Sequence, residues 1–366
     1  MRVLHVLNGL GSGGAEKIIM DWYRNIDKDK VQFDFLIRSN ECIYGEEIEK
    51  MGGKIYFTSS FPRHVIKNYF ETKKIFKENK YDVVHVHGNA LIYMRGIIEA
   101  KKNKVPIRIM HSHNTSARRK IYTIVHWINR HRLKRYANVF LACSNEAGSW
   151  MFGKKKFQVI NNGIRQENFL YSEKKRKESR KNFNFKEELV IGNVGKFLPA
   201  KNHFFMLDIF SEVLKRKDKA VLLLVGEGGN LEYEIKNKVR EKNLLNNVIF
   251  LGYRSDVGYV EQAMDVFLFP SKYEGMPISL VEAQFEGLPC VTSDSVSKES
   301  DISENIWYCS LQSSAKEWAD VVLKAAEKCP HHTNTLKEVA YKYNIERITK
   351  QLEEIYKKNI LDKYQF

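Results

Sequence analysis

Two doubly wound α/β domains are predicted for this chain, and three observations predict them. Its 366 residues exceed what one ordinary core of roughly 100–200 residues would use. Short apolar runs alternate with helical patterns as far as about residue 163, and the alternation restarts at Leu189. Between the two series lies ENFLYSEKKRKESRKNFNFKEE, which is charged, almost free of aliphatic residues and reads as a connector.

The first series has buried-strand patterns at Val3–Leu7, Val31–Ile37, Val83–Val86, Ile107–Met110 and Val139–Ala142. A further short run, QVINNG at Gln158–Gly163, ends in turn residues. The second series opens with LVIGNV at Leu189 and continues with AVLLLV at Ala220, NVIF at Asn247, DVFLFP at Asp265 and LPCVTS at Leu288. The tail from Ala340 to Lys358 carries Ile345, Ile348, Leu352 and Ile355 at helical spacing and is predicted to be an amphipathic terminal helix. The domains so drawn are 1–165, 166–342 and the terminal helix 343–366, packing back toward the first domain.

No run reaches the roughly 18 apolar residues a bilayer span needs, and the opening apolar run is too short for a signal peptide. A cytoplasmic protein is expected. Cys42, Cys143, Cys290, Cys309 and Cys329 are odd in number and scattered, as suits reduced, packing thiols. The net charge of +16 is uneven: no acid lies between Glu99 and Glu146, a segment with eleven lysines and arginines. An anionic partner follows, either nucleic acid, an acidic membrane or a phosphorylated substrate. The segment has no recognisable nucleic-acid module, so no nucleic-acid partner is expected. From Arg118 to Arg135 it reads as a helix with Ile121, Ile124, Val125 and Ile128 on one side, with Tyr122 and Trp127, and with cations at both ends. That composition suits an anionic membrane surface, unless the aliphatic stripe packs on the domain's own sheet.

VLHVLNGLGSGGAE spells G-x-G-x-x-G with Gly9, Gly11 and Gly14, the dinucleotide fingerprint of an NAD(P)-dependent oxidoreductase. The acid that should hold a ribose would be Asp34, which sits inside VQFDFLI and not at its end. Only Arg38 stands at the end. Gly13 and Gly14 still let backbone N–H groups approach a phosphate or sugar at a helix start.

The stretch FPSKYEGMPISLVEAQFEGLPCV sets Glu274 and Glu282 eight apart, one at a strand-to-helix turn and one inside the helix. It resembles the E-x7-E element of the retaining, nucleotide-sugar-dependent glycosyltransferases of family 4, which have the GT-B fold of two Rossmann-like domains facing a central cleft. SGGAE (Ser12–Glu16), HSHNT with His111 and His113, NVGKFLPAKN (Asn193–Asn202) and VGEGG (Val225–Gly229) resemble further elements of that family, in order. The resemblance covers nearly the whole chain.

It implies the following roles. Lys196 and Lys201 meet the leaving diphosphate with a helix start, Lys196 standing where the family usually has arginine. Glu282 accepts from the ribose hydroxyls, and Glu274 lies by the transferred sugar. The turn after Glu274 offers the N–H groups of Gly275, Met276, Ile278 and Ser279, Pro277 having none. Arg254 stands where the family holds the base, and is otherwise a solvated loop arginine. His113 is the catalytic candidate of the first domain, beside Glu274 and Lys201. His85 and His87, read as facing opposite sides of their strand, are at most supporting residues, as is His111. Asp27 and Asp29 match D-x-D but lie in a loop far from the proposed cleft, where they cap a turn, so no metal and no cofactor beyond the sugar nucleotide is expected.

The implied activity is retaining transfer of a hexosyl or N-acetylhexosaminyl group from a uridine diphosphate sugar. The acceptor would be a saccharide, lipid-linked, in capsule or exopolysaccharide synthesis, with the protein peripheral on the inner face of the membrane. A nucleotide-sugar-binding component without turnover is the alternative.

Overall fold

The computed structural model describes residues 1–115, 120–303, 305–328 and 341–364, the last seven of these as backbone only. Arg118, Arg119 and Cys329 of the sequence reading lie outside the described residues. The chain divides into two compact units, Met1–Ile164 together with the segment from Lys342, and Arg165–Tyr341.

The first unit runs β1 (Arg2–Leu7), α1 (Gly14–Asn25), β2 (Gln32–Ile37), α2 (Gly45–Lys50), β3 (Ile55–Phe57), α3 (Val65–Glu78), β4 (Val83–Gly88) and α4 (Arg95–Lys102). It continues with β5 (Ile107–Ser112), α5 (Lys120–Arg132), β6 (Val139–Ala142), α6 (Asn145–Phe152) and β7 (Gln158–Val159). The seven strands are parallel in the order β3-β2-β1-β4-β5-β6-β7. Strand order therefore reverses between β1 and β4, the place where α/β sheets hold ligands outside their carboxyl ends. On one face α1 sends Ile18, Ile19, Trp22 and Tyr23 into the core, beside the terminal helix α13 (Ile345–Tyr364). The predicted stripe of α13 is buried, with Ile345, Ile348, Leu352 and Ile355 joined by Tyr356.

The second unit runs α7 (Glu173–Asn182), β8 (Leu189–Val194), α8 (His203–Leu214), β9 (Ala220–Val225), α9 (Glu232–Glu241), β10 (Val248–Phe250) and α10 (Val257–Glu261). Then follow β11 (Val266–Phe269), α11 (Ile278–Phe285), β12 (Cys290–Ser293), β13 (Ile306–Cys309) and α12 (Ala315–Lys328). Its six parallel strands take the order β10-β9-β8-β11-β12-β13, so the reversal falls between β8 and β11. Both faces are covered: Phe210, Trp318 and Leu207 pack one side, Met264, Phe267 and Leu280 the other. A sheet buried on both faces has apolar residues at consecutive positions, which is why β9 reads as an unbroken apolar run and β8 as one interrupted only by Gly192 and Asn193.

Three elements escape the sequence reading. The presumed connector contains α7, which lacks an apolar stripe because ion pairs and hydrogen bonds hold it: Arg176 and Arg180 both bind Asp265, and Arg176 also donates to the carbonyls of Gln262 and Met264. Asp265 in turn accepts from the Val190 N–H, tying the helix to the start of β8. The other two, β3 and β13, are short edge strands whose residues are mostly only half-buried, so no burial pattern marks them.

Candidate active site

In the second unit, the loops that follow β8 and β11 meet at the strand-order reversal. The β8–α8 loop bends back through a short 3-10 turn, Pro199–Lys201, and Asn202 takes a left-handed conformation to start α8. Asn202 donates to the Pro270 carbonyl, and the Lys272 N–H donates to Ala200 at 2.8 Å, so the two loops are stitched together. Lys201 Nζ lies 2.9 Å from Glu274 Oε1, with the two side chains 17% and 16% exposed, and 4.5 Å above the Phe269 ring. An ammonium over an aromatic face beside a carboxylate is a cation held in place at low solvent exposure.

The turn after β9 approaches the same loop closely. Gly226 and Gly229 have φ of +138° and +100°, and a Cβ on them would lie 2.4 Å from the Gly195 carbonyl oxygen and 2.3 Å from that of Phe197. Only glycine fits there, which accounts for VGEGG. Glu274 sits in the turn and Glu282 inside α11, as their spacing implied; Glu282 is 3% exposed. Gly275 and Met276 are buried in the turn, and Ile278 and Ser279 open α11 after Pro277, where N–H groups have no partner in the helix. The first turn of α11 has no acid, which leaves the positive end of its dipole unopposed. Lys196 is half-buried in the β8–α8 loop. Arg254 follows β10 and grips both oxygens of Asp256 at 2.8 and 2.6 Å. The sequence reading missed His203, the first residue of α8: its ring packs on Phe197, and burial, helped by the Lys201 charge, pushes its pKa down to about 3.

In the first unit the glycine loop follows β1 and leads into α1, with Gly13 as its extended N-cap. At Gly9 a Cβ would lie 2.4 Å from Ser39 Oγ and 3.3 Å from the Glu41 carbonyl oxygen, whereas at Gly11 it would meet only the Glu41 side chain, which can swing aside. Asp34 is buried, holds Arg2 at 2.7 and 2.9 Å and accepts from the Lys54 N–H, so it is a sheet-face ion pair and no ribose ligand. Arg38 lies over the Tyr93 ring. Asp27 accepts from the Asp29 N–H and pairs with Lys30 in its turn.

The histidines correct the sequence reading. His85 and His87 share one face of β4, because residues two apart on a strand point the same way, and their rings lie 4.2 Å apart. His5 on β1 stands opposite His85, and His111 on β5 opposite His87. With His113 they make one cluster under Trp22 and Tyr356, in two lines. His5 Nδ1 meets His87 Nε2 at 2.9 Å, and His87 Nδ1 meets His113 Nε2 at 2.9 Å. His111 Nδ1 meets His85 Nε2 at 3.1 Å, and His85 Nδ1 meets the Tyr356 hydroxyl at 2.9 Å. Burial lowers all five pKa values, to about 3 for His5 and about 4 for His113, so the cluster is neutral at pH 7. The nitrogens of His5, His85 and His87, and of His87, His111 and His113, lie within 4.8 Å of one another, near enough to share a metal ion, although most of them are already taken up in pairs. The period-2 repeats H-V-H and H-S-H on neighbouring strands were the signal for this cluster.

The helix α5 is fixed by a narrow strip. His126 stacks on Trp150 at 4.4 Å and accepts from the Leu91 N–H, while Asn129 donates to the Leu91 carbonyl. Its aliphatic stripe does not pack on the sheet: Ile121, Ile124 and Ile128 are each 57% exposed and Trp127 45%. Val125 is half-buried.

Comparison with known proteins matches residues 12–168 to the Glycosyltransferase Family 4 model and residues 174–343 to the model of Glycosyl transferases group 1. The chain is 35% identical over 89% of its length, and 88% of the relative's, to the putative glycosyltransferase EpsF of Bacillus subtilis. It is 27% identical to the capsular polysaccharide biosynthesis glycosyltransferase CapH of Staphylococcus aureus, over 97% of this chain and 98% of that one. In structure it resembles Anabaena Alr3699/HepE, crystallised with UDP and glucose, with a TM-score of 0.81 and 17% identity over 98% of this chain and 100% of that one.

Proposed function

This chain belongs to the family 4 glycosyltransferases, and we propose that its donor is a uridine diphosphate sugar, gripped by the second unit and transferred with retention of configuration. The observation that carries the reading is the Lys201–Glu274 pair at the β8/β11 reversal, beside two loops held by glycine contacts and the open start of α11. Breaking a sugar–phosphate bond leaves charge on a diphosphate, and an ammonium held at low exposure beside the N-terminus of a helix is suited to meet it. Glu274 takes the hydroxyls of the transferred sugar and Glu282 the ribose. Lys196 adds a second cation to the diphosphate, and Arg254 borders the base. The first unit contributes Gly13 and Gly14 at the start of α1, and His113 as a neutral imidazole. These counterions belong to the protein, so transfer proceeds without a metal. The likeness to HepE supports the uridine nucleotide, and the likeness to CapH supports a surface-polysaccharide acceptor. A panel of uridine, guanosine and thymidine diphosphate sugars, read by released diphosphate before and after chelation, tests this. Turnover confined to uridine donors and unchanged by chelator is expected, and activity restored only by magnesium or manganese would overturn the metal-free site.

The acceptor in this reading is lipid-linked and the protein docks on an anionic membrane. Support comes from α5, which carries exposed isoleucines and contributes Trp127 and Arg130 to a groove also lined by Lys134, Lys154 and Lys155, without a carboxylate. Apolar side chains flanked by lysines and arginines fit the boundary between headgroups and acyl chains. Sedimentation with anionic vesicles at low salt should carry the protein down and high salt release it. Ile124→Ser with Ile128→Ser should abolish the binding; binding that survives, or that neutral vesicles match, points to a soluble acceptor.

A further inference from the structure

We propose that His5 and His87 are positioning residues that fix the tautomer of His113, making it a permanent hydrogen-bond donor at Nδ1 and denying it the role of general base. The inference rests on the reading of His113 as a residue of the transfer site, but its central claim concerns a proton position that can be observed without turnover.

A neutral imidazole has one N–H and one lone pair, so a line of imidazoles bonded nitrogen to nitrogen has a direction. His5–His87–His113 is such a line, with both contacts at 2.9 Å. Two directions are possible. If protons run outward, His5 donates from Nδ1 to His87 Nε2, and His87 donates from Nδ1 to His113 Nε2. The remaining proton of His113 is then on Nδ1. If they run inward, His113 donates from Nε2, and the last proton sits on His5 Nε2.

The inner end decides. His5 Nε2 is fully buried and has no hydrogen-bond partner. Its ring lies against Phe33 at 4.1 Å and Phe35 at 5.6 Å, neither of which offers an acceptor. The inward direction would bury an N–H there with nothing to receive it; the outward direction leaves only an unused lone pair. Orphaned buried N–H groups are the rarer vacancy in folded proteins. The line therefore runs outward. His113 is the one member of the cluster that is partly exposed, and its Nδ1 makes no hydrogen bond among the described residues. Its proton is thus offered to a hydroxyl or phosphate oxygen of the reactants. The second line, through His111 and His85, ends at the buried Tyr356 hydroxyl and reaches no exposed group.

A donor of fixed tautomer suits a retaining transfer, in which the acceptor hydroxyl needs no enzymic base if the leaving phosphate oxygen takes its proton. The same imidazole with the proton on Nε2 would present a lone pair to the reactants, repelling phosphate oxygens and accepting only from a hydroxyl.

The test is long-range ¹H–¹⁵N correlation on protein labelled at histidine nitrogen, at pH 7.5. The Nδ1–H form is expected for His5, His87 and His113. His87→Leu removes the inner donor, so His113 should shift toward the Nε2–H form and kcat should fall about tenfold, the worth of one neutral hydrogen bond, with donor KM little changed. His87→Gln keeps an acceptor for His5 and a donor for His113, and should restore both the tautomer and most of kcat. A wild-type spectrum with His113 as Nε2–H overturns the proposal even if no variant folds, and so does a His113 tautomer indifferent to His87→Leu. If the spectrum is as expected but His113→Ala transfers sugar at the wild-type rate, the line of histidines stands and the placement of His113 in the transfer site falls.

Discussion

The two units share one scaffold, a parallel sheet whose order reverses beside its first strand, yet they fill the carboxyl ends of the central strands with opposite chemistry. At β1, β4 and β5 the first unit packs five imidazoles together, three of them against Trp22, and keeps them uncharged. At β8 and β11 the second unit holds an ammonium 2.9 Å from a carboxylate, with glycine turns and the open start of α11 around them. The scaffold thus fixes where a site can form, whereas burial without a counter-charge or pairing with one decides whether the site carries charge.

The sharpest way to break that contrast is acid. The pKa values of His5, His85, His87 and His111 in the folded chain lie below the ordinary value near 6.5, because burial disfavours the charged ring. The unfolded chain therefore binds protons that the folded one refuses. Stability is fully present above about pH 6.5 and falls as pH drops from there toward the folded values, about 3 for His5. Each such histidine removes about 1.4 kcal/mol per pH unit over that window, the largest effect expected here. Among the described residues the second unit has one buried histidine of this kind, His203, and it should resist. Denaturant unfolding at pH 7.5, 6.0 and 5.0 can follow Trp22 and Trp318 in single-tryptophan variants, one reporter per unit. A first unit that keeps its stability down to pH 5 would mean that the cluster is not neutral in the folded chain.

The next effect belongs to the second unit. Lys201→Met removes the cation that lies 2.9 Å from Glu274 Oε1. Loss of a preorganised charge at the leaving group costs about 4 kcal/mol, so kcat should fall about a thousandfold. Lys196→Met, in the same loop, should cost roughly tenfold, since a lysine gives one point charge where an arginine would grip twice. Equal losses from the two variants would contradict the special place given to the Lys201–Glu274 pair.

What the sequence disclosed follows the same division. Buried strands and the α13 stripe were legible because burial on both faces, or on one helical face, leaves a period in the residues. The helix α7 was not, since Arg176 and Arg180 hold it to Asp265 and polar contacts leave no apolar period. In the second unit, Glu274, Glu282 and the glycines of Val225–Gly229 were legible through their spacing. The histidine lines were not, because they join residues 82 and 26 positions apart through register between strands, and because His85 and His87, two apart in β4, share one face only once the strand is formed. Whether the stripe on α5 was core or surface could not be read either: Ile121, Ile124 and Ile128 have the spacing of a buried face, and only the anchoring of the helix through His126 and Asn129 turns that face outward.

The smallest expected effect separates the two glutamates. Glu282 is buried within α11, whereas Glu274 sits in the turn before it, paired with Lys201. A carboxylate that accepts from ribose hydroxyls contributes about 1.5–3 kcal/mol, and a neutral amide acceptor about 0.5–1.5. Glu282→Gln should therefore weaken uridine diphosphate by about tenfold in calorimetry, and kcat at saturating donor should change little. Glu274→Gln should do the reverse, since in the proposed reading it holds the transferred sugar, which the free nucleotide lacks. Its loss also frees Lys201 from its only carboxylate within ion-pair distance among the described residues, so that nucleotide binding is expected to hold or tighten slightly while kcat falls. If both variants weaken the free nucleotide equally, the two carboxylates serve one ligand group, and the division of the second unit into a ribose end and a sugar end is wrong.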